Sequence, residues 1–117
     1  MGKIGVIGQG YVGTAIKLGF QDHYKVLTYD KFDLGKSTHS KISDIVDETK
    51  VIFVCVPTPM KKDGTCYTGI VEEVIREINE TANDHIVVIK STVPPGTTDR
   101  FHHEFSNVTV IFNPEFL

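Results

Sequence analysis

Lys3-Ile-Gly-Val-Ile-Gly-Gln-Gly-Tyr-Val-Gly13 begins as an apolar run and ends in three glycines with the spacing Gly8-x-Gly10-x-x-Gly13. This pattern is typical of the strand, turn and helix that open a dinucleotide-binding fold. Gly8 allows the tight turn, Gly10 leaves room for a pyrophosphate, and Gly13 lets helix and strand pack closely. The pattern therefore predicts a phosphate-binding turn, and a turn without a ligand is the alternative at this point.

The residues after the glycine turn predict a helix. Tyr11 and Val12 would begin it, where unpaired N–H groups and the positive end of the helix dipole can hold phosphate. Val12, Ala15, Ile16 and Gly19 follow the spacing i, i+3, i+4, i+7, which predicts that they form its inward face.

Downstream, apolar strands alternate with helical segments. This order predicts an α/β fold, a Rossmann-like doubly wound parallel sheet of about five strands, truncated before the sixth. The third and fourth strands are apolar without alternation, which predicts that both of their faces are covered. The predicted strands are Lys3–Ile7, Lys25–Tyr29, Val51–Val56, His85–Lys90 and Val108–Phe112, with helices after the first, third and fourth and a short helix through Ile42, Ile45 and Val46.

Polar or turn-forming residues follow every predicted strand. Because parallel strands bring their carboxyl ends to one edge, and ligands bind in the crevice outside that edge, these residues should meet at a nucleotide site. In chain order they are Gly8, Asp30, Pro57-Thr58, Ser91-Thr92, Asn113 and Glu115.

Asp30 ends the second predicted strand, 22 residues after Gly8. A carboxylate there can accept hydrogen bonds from the adenosine ribose hydroxyls and would repel a 2′-phosphate, which favours NAD over NADP. Lys31 beside it would soften that repulsion. A surface aspartate in a turn is the alternative.

Composition excludes several classes of function. The chain has 117 residues and a formal net charge of −3, without a basic run, which argues against nucleic-acid binding. No apolar run is long enough for a membrane span, and two cysteines cannot form a disulfide framework, so a cytoplasmic protein is expected. His102-His103-Glu104 lacks the i, i+4 spacing of a zinc helix, and no metal site is expected.

Four motifs resemble, in order, the N-terminal NAD-binding domain of the UDP-glucose and GDP-mannose 6-dehydrogenase family. They are Gly8-Gln-Gly-Tyr-Val-Gly13, Val56-Pro-Thr-Pro59, Lys90-Ser-Thr-Val-Pro-Pro-Gly-Thr97 and Asn113-Pro-Glu-Phe-Leu117. The resemblance covers nearly the whole chain and implies one NAD-binding Rossmann domain over residues 1–117. The family oxidises the C6 alcohol of a nucleotide sugar to the uronate with two NAD, through a cysteine-bound intermediate.

The resemblance also implies roles for single residues. Val12, Asp30, Thr58 and Thr92 would contact NAD, and Thr92 and Glu115 would face the reacting C6 and its water. A carboxylate beside that water can assist hydrolysis of a thioester.

The sequence departs from the family in several places. The nucleophilic cysteine and the catalytic lysine of the family lie in later segments, so the catalytic domain is expected to be absent and the chain alone inactive. Cys55, inside an apolar strand, is expected to be a buried packing residue, and nothing near Cys66 would activate its thiol. The segment 31–50 is shorter than is usual in the family, which predicts a less covered sheet face and adenine pocket, and Tyr67 replaces an acidic residue.

Val108–Phe112 would be an apolar sheet edge, which predicts that the chain self-associates or docks onto another polypeptide there. A nucleotide sugar is expected to bind only when a second domain or chain completes the site. Two functions stay open: the NAD-binding part of a nucleotide-sugar 6-dehydrogenase, or a non-catalytic nucleotide-binding or interaction module. The β-hydroxyacid dehydrogenases share the glycine fingerprint and form a weaker alternative.

Overall fold

The structure, a computed structural model, describes residues 2–114 as five strands and four helices in strict alternation. A single turn of 3-10 helix, Leu34–Lys36, lies between β2 and α2. The elements are β1 (Gly2–Ile7), α1 (Tyr11–Phe20), β2 (Tyr24–Tyr29), α2 (Ile42–Glu48), β3 (Val51–Val54), α3 (Gly69–Thr81), β4 (His85–Ile89), α4 (Thr97–Glu104) and β5 (Val108–Phe112).

The strands form one parallel sheet in the order β2-β1-β3-β4-β5. The chain leaves β1 towards one side, through α1 to β2, and then crosses back over β1 to reach β3. This reversal between β1 and β3 is the switch point at which doubly wound sheets open a crevice. The expected α/β, Rossmann-like class of fold is confirmed.

One face of the sheet carries the main hydrophobic core, packed beneath α2, α3 and α4. Ile75 and Ile78 of α3 and Phe101 of α4 are fully buried in it. Short α2 contributes Ile42, Ile45 and Val46, each at most 3% exposed, so the shortened 31–50 segment still supplies a helix that packs on this face. The main core therefore extends without interruption from β2 to β5.

Buried His85 fixes the start of β4 against the end of α2. Its Nε2 donates to the Val46 carbonyl at 2.8 Å, and its Nδ1 accepts the Asn83 N–H at 2.9 Å. An imidazole that donates through one nitrogen and accepts through the other is the neutral tautomer. The sequence alone assigned no role to this histidine.

Among residues 2–114, α1 alone covers the opposite face, which has a small core of Ile4, Val6 and Val26. The predicted inward face of α1 is wrong in part, because Ala15 and Gly19 are exposed, and the helix instead packs through Gly13, Ile16 and Phe20. Gly13 brings the helix close to the β1–α1 turn, and this contact determines which face of the helix points inward.

Because α1 lies over β1 and its neighbours, β4 and β5 lack a helix on this face within the described residues. Ile86 is 37% exposed and Ile111 is 45% exposed. The expectation that the fourth strand is covered on both faces is therefore wrong. The continuous apolar sequence of β4 indicates that this strand lies inside the sheet. It does not indicate how far α1 extends across the face.

Candidate functional site

The glycine turn sits at the switch point and depends on missing side chains. Gly8 has φ +97°, and a Cβ there would lie 2.6 Å from the Cys55 carbonyl oxygen of the neighbouring strand end. A Cβ on Gly13 would collide with the Gly8 carbonyl. These two positions hold β1, β3 and α1 closer together than any larger residue allows.

Gly10 behaves differently, because a Cβ there would meet no atom within 4 Å. It faces open space at the start of α1, where the first N–H groups have no partner within the helix. No acidic residue occupies the first turn of α1. The cradle therefore fits a pyrophosphate, for which a side chain at residue 10 would be the obstacle.

Gln9, buried between these glycines, stiffens the turn. Its side-chain Nε2 donates to the Gly8 carbonyl at 3.1 Å, and its own carbonyl accepts the Thr14 hydroxyl at 3.1 Å. The turn thus has its shape before a ligand arrives.

Asp30 braces the same turn from the end of β2. Its Oδ2 accepts the Gln9 N–H at 2.7 Å, and its Oδ1 accepts the Phe32 N–H at 2.9 Å. Each carboxylate oxygen has a further lone pair, so Asp30 can still accept from the hydroxyls of a ribose. Its structural role in the turn is therefore compatible with the predicted binding role.

A cavity of about 570 Å³ opens beside Asp30, between the turn and the start of α3. Its walls are apolar, and its charged residues are Asp30, Lys31, Glu73 and Glu77. Apolar walls with a carboxylate at one end suit a purine nucleoside better than a phosphorylated ribose. The lining residues are Ile7, Gly8, Gly10, Tyr29, Asp30, Lys31, Phe32, Ile42, Cys55, Val56, Pro57, Ile70, Glu73, Val74 and Glu77.

A second cavity, of about 280 Å³, lies on the other side of the turn, between the start of α1 and the end of β4. It shares Gly10, Cys55, Val56 and Pro57 with the first, so the two cavities meet at the glycine turn. The lining residues are Gly10, Tyr11, Val12, Cys55, Val56, Pro57, Thr58, Lys90, Ser91 and Thr92.

Ser91 fixes the far wall of the second cavity. Its hydroxyl donates to the Val56 carbonyl at 2.6 Å, which joins the loops that follow β3 and β4. Thr92, the next residue, is exposed and lines the cavity. The position of Thr92 is therefore set by its buried neighbour.

The structure brings nearly all of the predicted binding residues to these two cavities. Gly13 lies behind the turn and lines neither, because it forms the contact between α1 and the turn. Glu115 lies outside the described residues. Those that line a cavity are Gly8, Gly10, Tyr11, Val12, Asp30, Lys31, Val56, Pro57, Thr58 and Thr92.

Sequence reasoning missed several residues of the crevice. Glu73 and Glu77 have the spacing of an exposed helix face and were given no binding role, but they rim the larger cavity. Phe32 is 81% exposed at that rim. Lys90 lines the smaller cavity and is the first residue of the motif that ends at Thr97, but no role was predicted for it. Its place at a strand end was the available signal.

Cys55 is not the buried residue expected from the strand. β3 ends at Val54, so Cys55 is half-buried at the strand end and lines both cavities. Cys66 is also half-buried and belongs to a loop closed by a bridge between Met60 and Cys66. Neither cysteine forms a disulfide.

Two classes of feature are absent from residues 2–114. No helix there combines the length and the apolar character needed to cross a membrane. That part of the chain also has no cluster of histidine, cysteine, aspartate or glutamate side chains able to hold a metal ion.

A family model agrees with this geometry. Residues 31–117 match the model of the UDP-glucose/GDP-mannose dehydrogenase family, NAD binding domain. The UDP-glucose 6-dehydrogenase of Rhizobium meliloti is 33% identical over 153 aligned residues, which cover 98% of this chain and 35% of that enzyme.

Solved structures agree as well. A UDP-glucose dehydrogenase from Pyrobaculum islandicum superposes with a TM-score of 0.83 at 29% identity, over 100% of this chain and 36% of the other. A GDP-mannose dehydrogenase from Pseudomonas aeruginosa, in a ternary complex, gives 0.80 at 29% identity, over 97% and 36%. The chain thus spans about a third of the length of these relatives.

Proposed function

The chain belongs to the UDP-glucose/GDP-mannose dehydrogenase family as its NAD binding domain, and from this premise we propose that it binds the cofactor for oxidation of a nucleotide sugar at C6. The observation that carries the proposal is the meeting of Gly10, Asp30 and Thr92 along one crevice. Residues from the ends of β1, β2 and β4 converge there, as a dinucleotide requires.

We assign the adenosine half of NAD to the larger cavity. Asp30 would accept from the ribose hydroxyls, while Ile70 and Val74 would contact the base. Three carboxylates and one lysine around this cavity favour an unphosphorylated ribose. The pyrophosphate would lie over Gly10 and the start of α1.

The smaller cavity would hold the nicotinamide half, between Val12 and Thr92. Bound NAD would supply the oxidant: its ring would accept a hydride from C6 and change in charge from +1 to 0, and the alcohol oxygen would lose a proton. Thr92 would orient the ring and the reacting carbon, and the resemblance adds Glu115 as the carboxylate beside the water.

Titration calorimetry with NAD and NADP tests the assignment. The chain should bind NAD more tightly than NADP, and Asp30→Ala should weaken NAD binding by roughly 10- to 100-fold, the loss expected when hydrogen bonds to a charged group disappear. Asp33→Asn is the matched control, since Asp33 is exposed nearby and lines neither cavity. Equal NAD affinity in wild type and Asp30→Ala would refute the assignment.

Turnover separates the enzyme from a non-catalytic module. Because the family nucleophile and lysine have no counterpart among the motifs of this chain, we expect no uronate from UDP-glucose and NAD with the chain alone. Uronate formed by the chain alone would contradict this expectation. If NAD binds and the neighbouring gene products restore no activity, the non-catalytic module becomes the better description.

We also propose that two copies associate through the β5 edge, Val108–Phe112. Within residues 2–114, β5 pairs with β4 alone, and its sequence carries no charge that would oppose a second copy. Ile86 and Ile111, both exposed beside it, add apolar surface. Sedimentation velocity over a concentration series tests this: we expect a dimer, and a monomer at every concentration would exclude it.

A further inference from the structure

We propose that Phe32 closes the larger cavity by stacking its ring on the purine of the bound dinucleotide. This inference rests on the proposed function, because it requires the adenosine half of NAD in that cavity. It gives a binding role to a rim residue that neither the motifs nor the crevice geometry has so far assigned.

Phe32 is an apolar ring exposed at the mouth of an apolar cavity. Its side chain is 81% exposed and lines the larger cavity but not the smaller. Leu34, two residues further along the same loop, is 64% exposed and lines neither. A single apolar side chain on a surface needs no explanation, and Leu34 is such a residue. Phe32 differs, because a flat ligand in the cavity would remove its ring from water, which favours binding.

The backbone of Phe32 is held in place although its ring is exposed. The Phe32 N–H donates to Asp30 Oδ1 at 2.9 Å, and the Asp30 N–H donates to Ser37 Oγ at 2.9 Å. The Asp33 N–H donates to the Asp30 carbonyl at 3.2 Å, which closes a turn around Phe32. Because this backbone is already ordered, closure of the ring over a ligand would cost side-chain entropy only.

Asp30 also relates the ring to the ribose. The carboxylate that accepts the Phe32 N–H is the proposed acceptor for the ribose hydroxyls, so the ring starts two residues from the ribose site. In a nucleoside the base is joined directly to the ribose. A purine whose ribose is bound by Asp30 would therefore lie within reach of the Phe32 ring.

The opposite wall completes a slot for a flat base. Because β1 lies between β2 and β3, the loop after β2 and helix α3 approach the cavity from opposite sides of β1. Helix α3 contributes Ile70 and Val74, both half-buried. A purine between them and Phe32 would be covered on both faces, with the offset ring contact that aromatic pairs prefer. The Lys31 Nζ lies 5.9 Å from the Phe32 ring centroid, near the outer limit of a cation–π contact, so it holds the exposed ring only weakly.

Titration calorimetry of the whole chain with NAD and with ADP-ribose tests the inference. Phe32→Ala should weaken both by about ten-fold, an effect typical of lost base–aromatic stacking, and by the same factor, since both ligands carry adenosine. Phe32→Tyr should keep the wild-type affinities, whereas Phe32→Leu, apolar but not flat, should keep only part of them. Leu34→Ala is the matched control and should change neither affinity.

Fluorescence reports the stacking directly. The chain has no tryptophan, so Phe32→Trp introduces a single indole at the rim. ADP-ribose should quench its emission, and the emission of the control Leu34→Trp should not respond.

Three results would overturn the inference: unchanged affinities in Phe32→Ala, full affinity in Phe32→Leu, or a loss for NAD without a loss for ADP-ribose. An unquenched indole in a Phe32→Trp chain that binds ADP-ribose would also overturn it. Failure of the wild-type chain to bind either ligand would instead refute the proposed function.

Discussion

The two faces of the sheet differ in how they are covered and in what they build. Beneath α2, α3 and α4 lies the continuous main core. On the other face, α1 is the one described helix that packs over the core of Ile4, Val6 and Val26. The larger cavity draws Ile42, Ile70 and Val74 from the helices of the first face. The smaller cavity draws on the start of α1.

The two halves of the crevice therefore differ in how much packed hydrophobic core lies beneath them. The proposed adenosine half lies against the closely packed main core, which keeps its walls in place. The proposed nicotinamide half lies beside the face that α1 covers, where the core is small.

The largest effect is expected on the main core. Ile75→Ala should lower the free energy of unfolding by about 3–4 kcal/mol, because Ile75 is fully buried and the cavity left behind cannot collapse. Urea unfolding followed by circular dichroism measures this. Glu80→Ala, on the exposed side of the same helix, is the control and should change the free energy of unfolding by less than about 0.5 kcal/mol.

A smaller loss is expected under α1. Phe20 is half-buried and its ring lies 5.6 Å from that of Phe53 and 5.7 Å from that of Tyr24. Phe20→Ala should lower the free energy of unfolding by about 1–2 kcal/mol, less than a fully buried phenylalanine would lose. The same urea titration tests it. If Phe20→Ala costs as much as Ile75→Ala, the two faces are not unequal.

On the β4–β5 part of the face that α1 covers elsewhere, a substitution should hardly change the free energy of unfolding. Ile111→Lys should change the free energy of unfolding by less than about 0.5 kcal/mol, because Ile111 is 45% exposed. The same variant should abolish the proposed dimer, since it places two lysines at the interface. Val110→Lys is a contrasting variant: Val110 is buried on the other face, so it should unfold the chain. Dimers that persist in Ile111→Lys would exclude this surface.

The smallest effect is a pH dependence at the rim of the well-covered face. Hydrogen bonds from His39, at 2.6 Å, and Lys3, at 3.1 Å, hold the pKa of Glu48 below its ordinary value of 4.5. A carboxyl with a depressed pKa adds stability above its unfolded pKa and loses it as the pH falls through the folded pKa. The difference in unfolding free energy between wild type and Glu48→Gln should therefore shrink between about pH 6 and about pH 3.

Urea titrations of both proteins across that range measure the difference. Asp47→Gln, at the neighbouring exposed position, controls for charge alone. A difference that stays constant with pH would show that these contacts do not stabilise the fold.

Much of the fold could be predicted because local sequence and global topology agree. β5 has the predicted bounds, since the apolar run over Val108–Phe112 is strong. A helix was predicted after the third strand, and α3 forms there because helical periodicity is strong over Gly69–Thr81. β3 ended at Val54 rather than Val56, because the strand gives way to the crevice where Gly8 meets the Cys55 carbonyl. Such a contact joins residues far apart in sequence and leaves no local pattern.

The site was predictable where a residue follows a strand, as Asp30 and Thr92 do. It was not predictable where a helix supplies the wall, because Glu73 and Glu77 have the spacing of any solvated helix face. The brace from Asp30 to Gln9 was equally hidden, since it depends on the backbone of another loop.

The brace at Asp30 bears on how cofactor choice can be redesigned or can evolve. A variant made to accept a 2′-phosphorylated dinucleotide must discard this carboxylate, and with it the acceptor for the N–H groups of Gln9 and Phe32. On the proposed assignment, one side chain thus couples cofactor selectivity to the order of the loop. A switch of cofactor would then need a compensating acceptor elsewhere in the same step, so we expect single substitutions at this position to weaken binding rather than to give a new specificity.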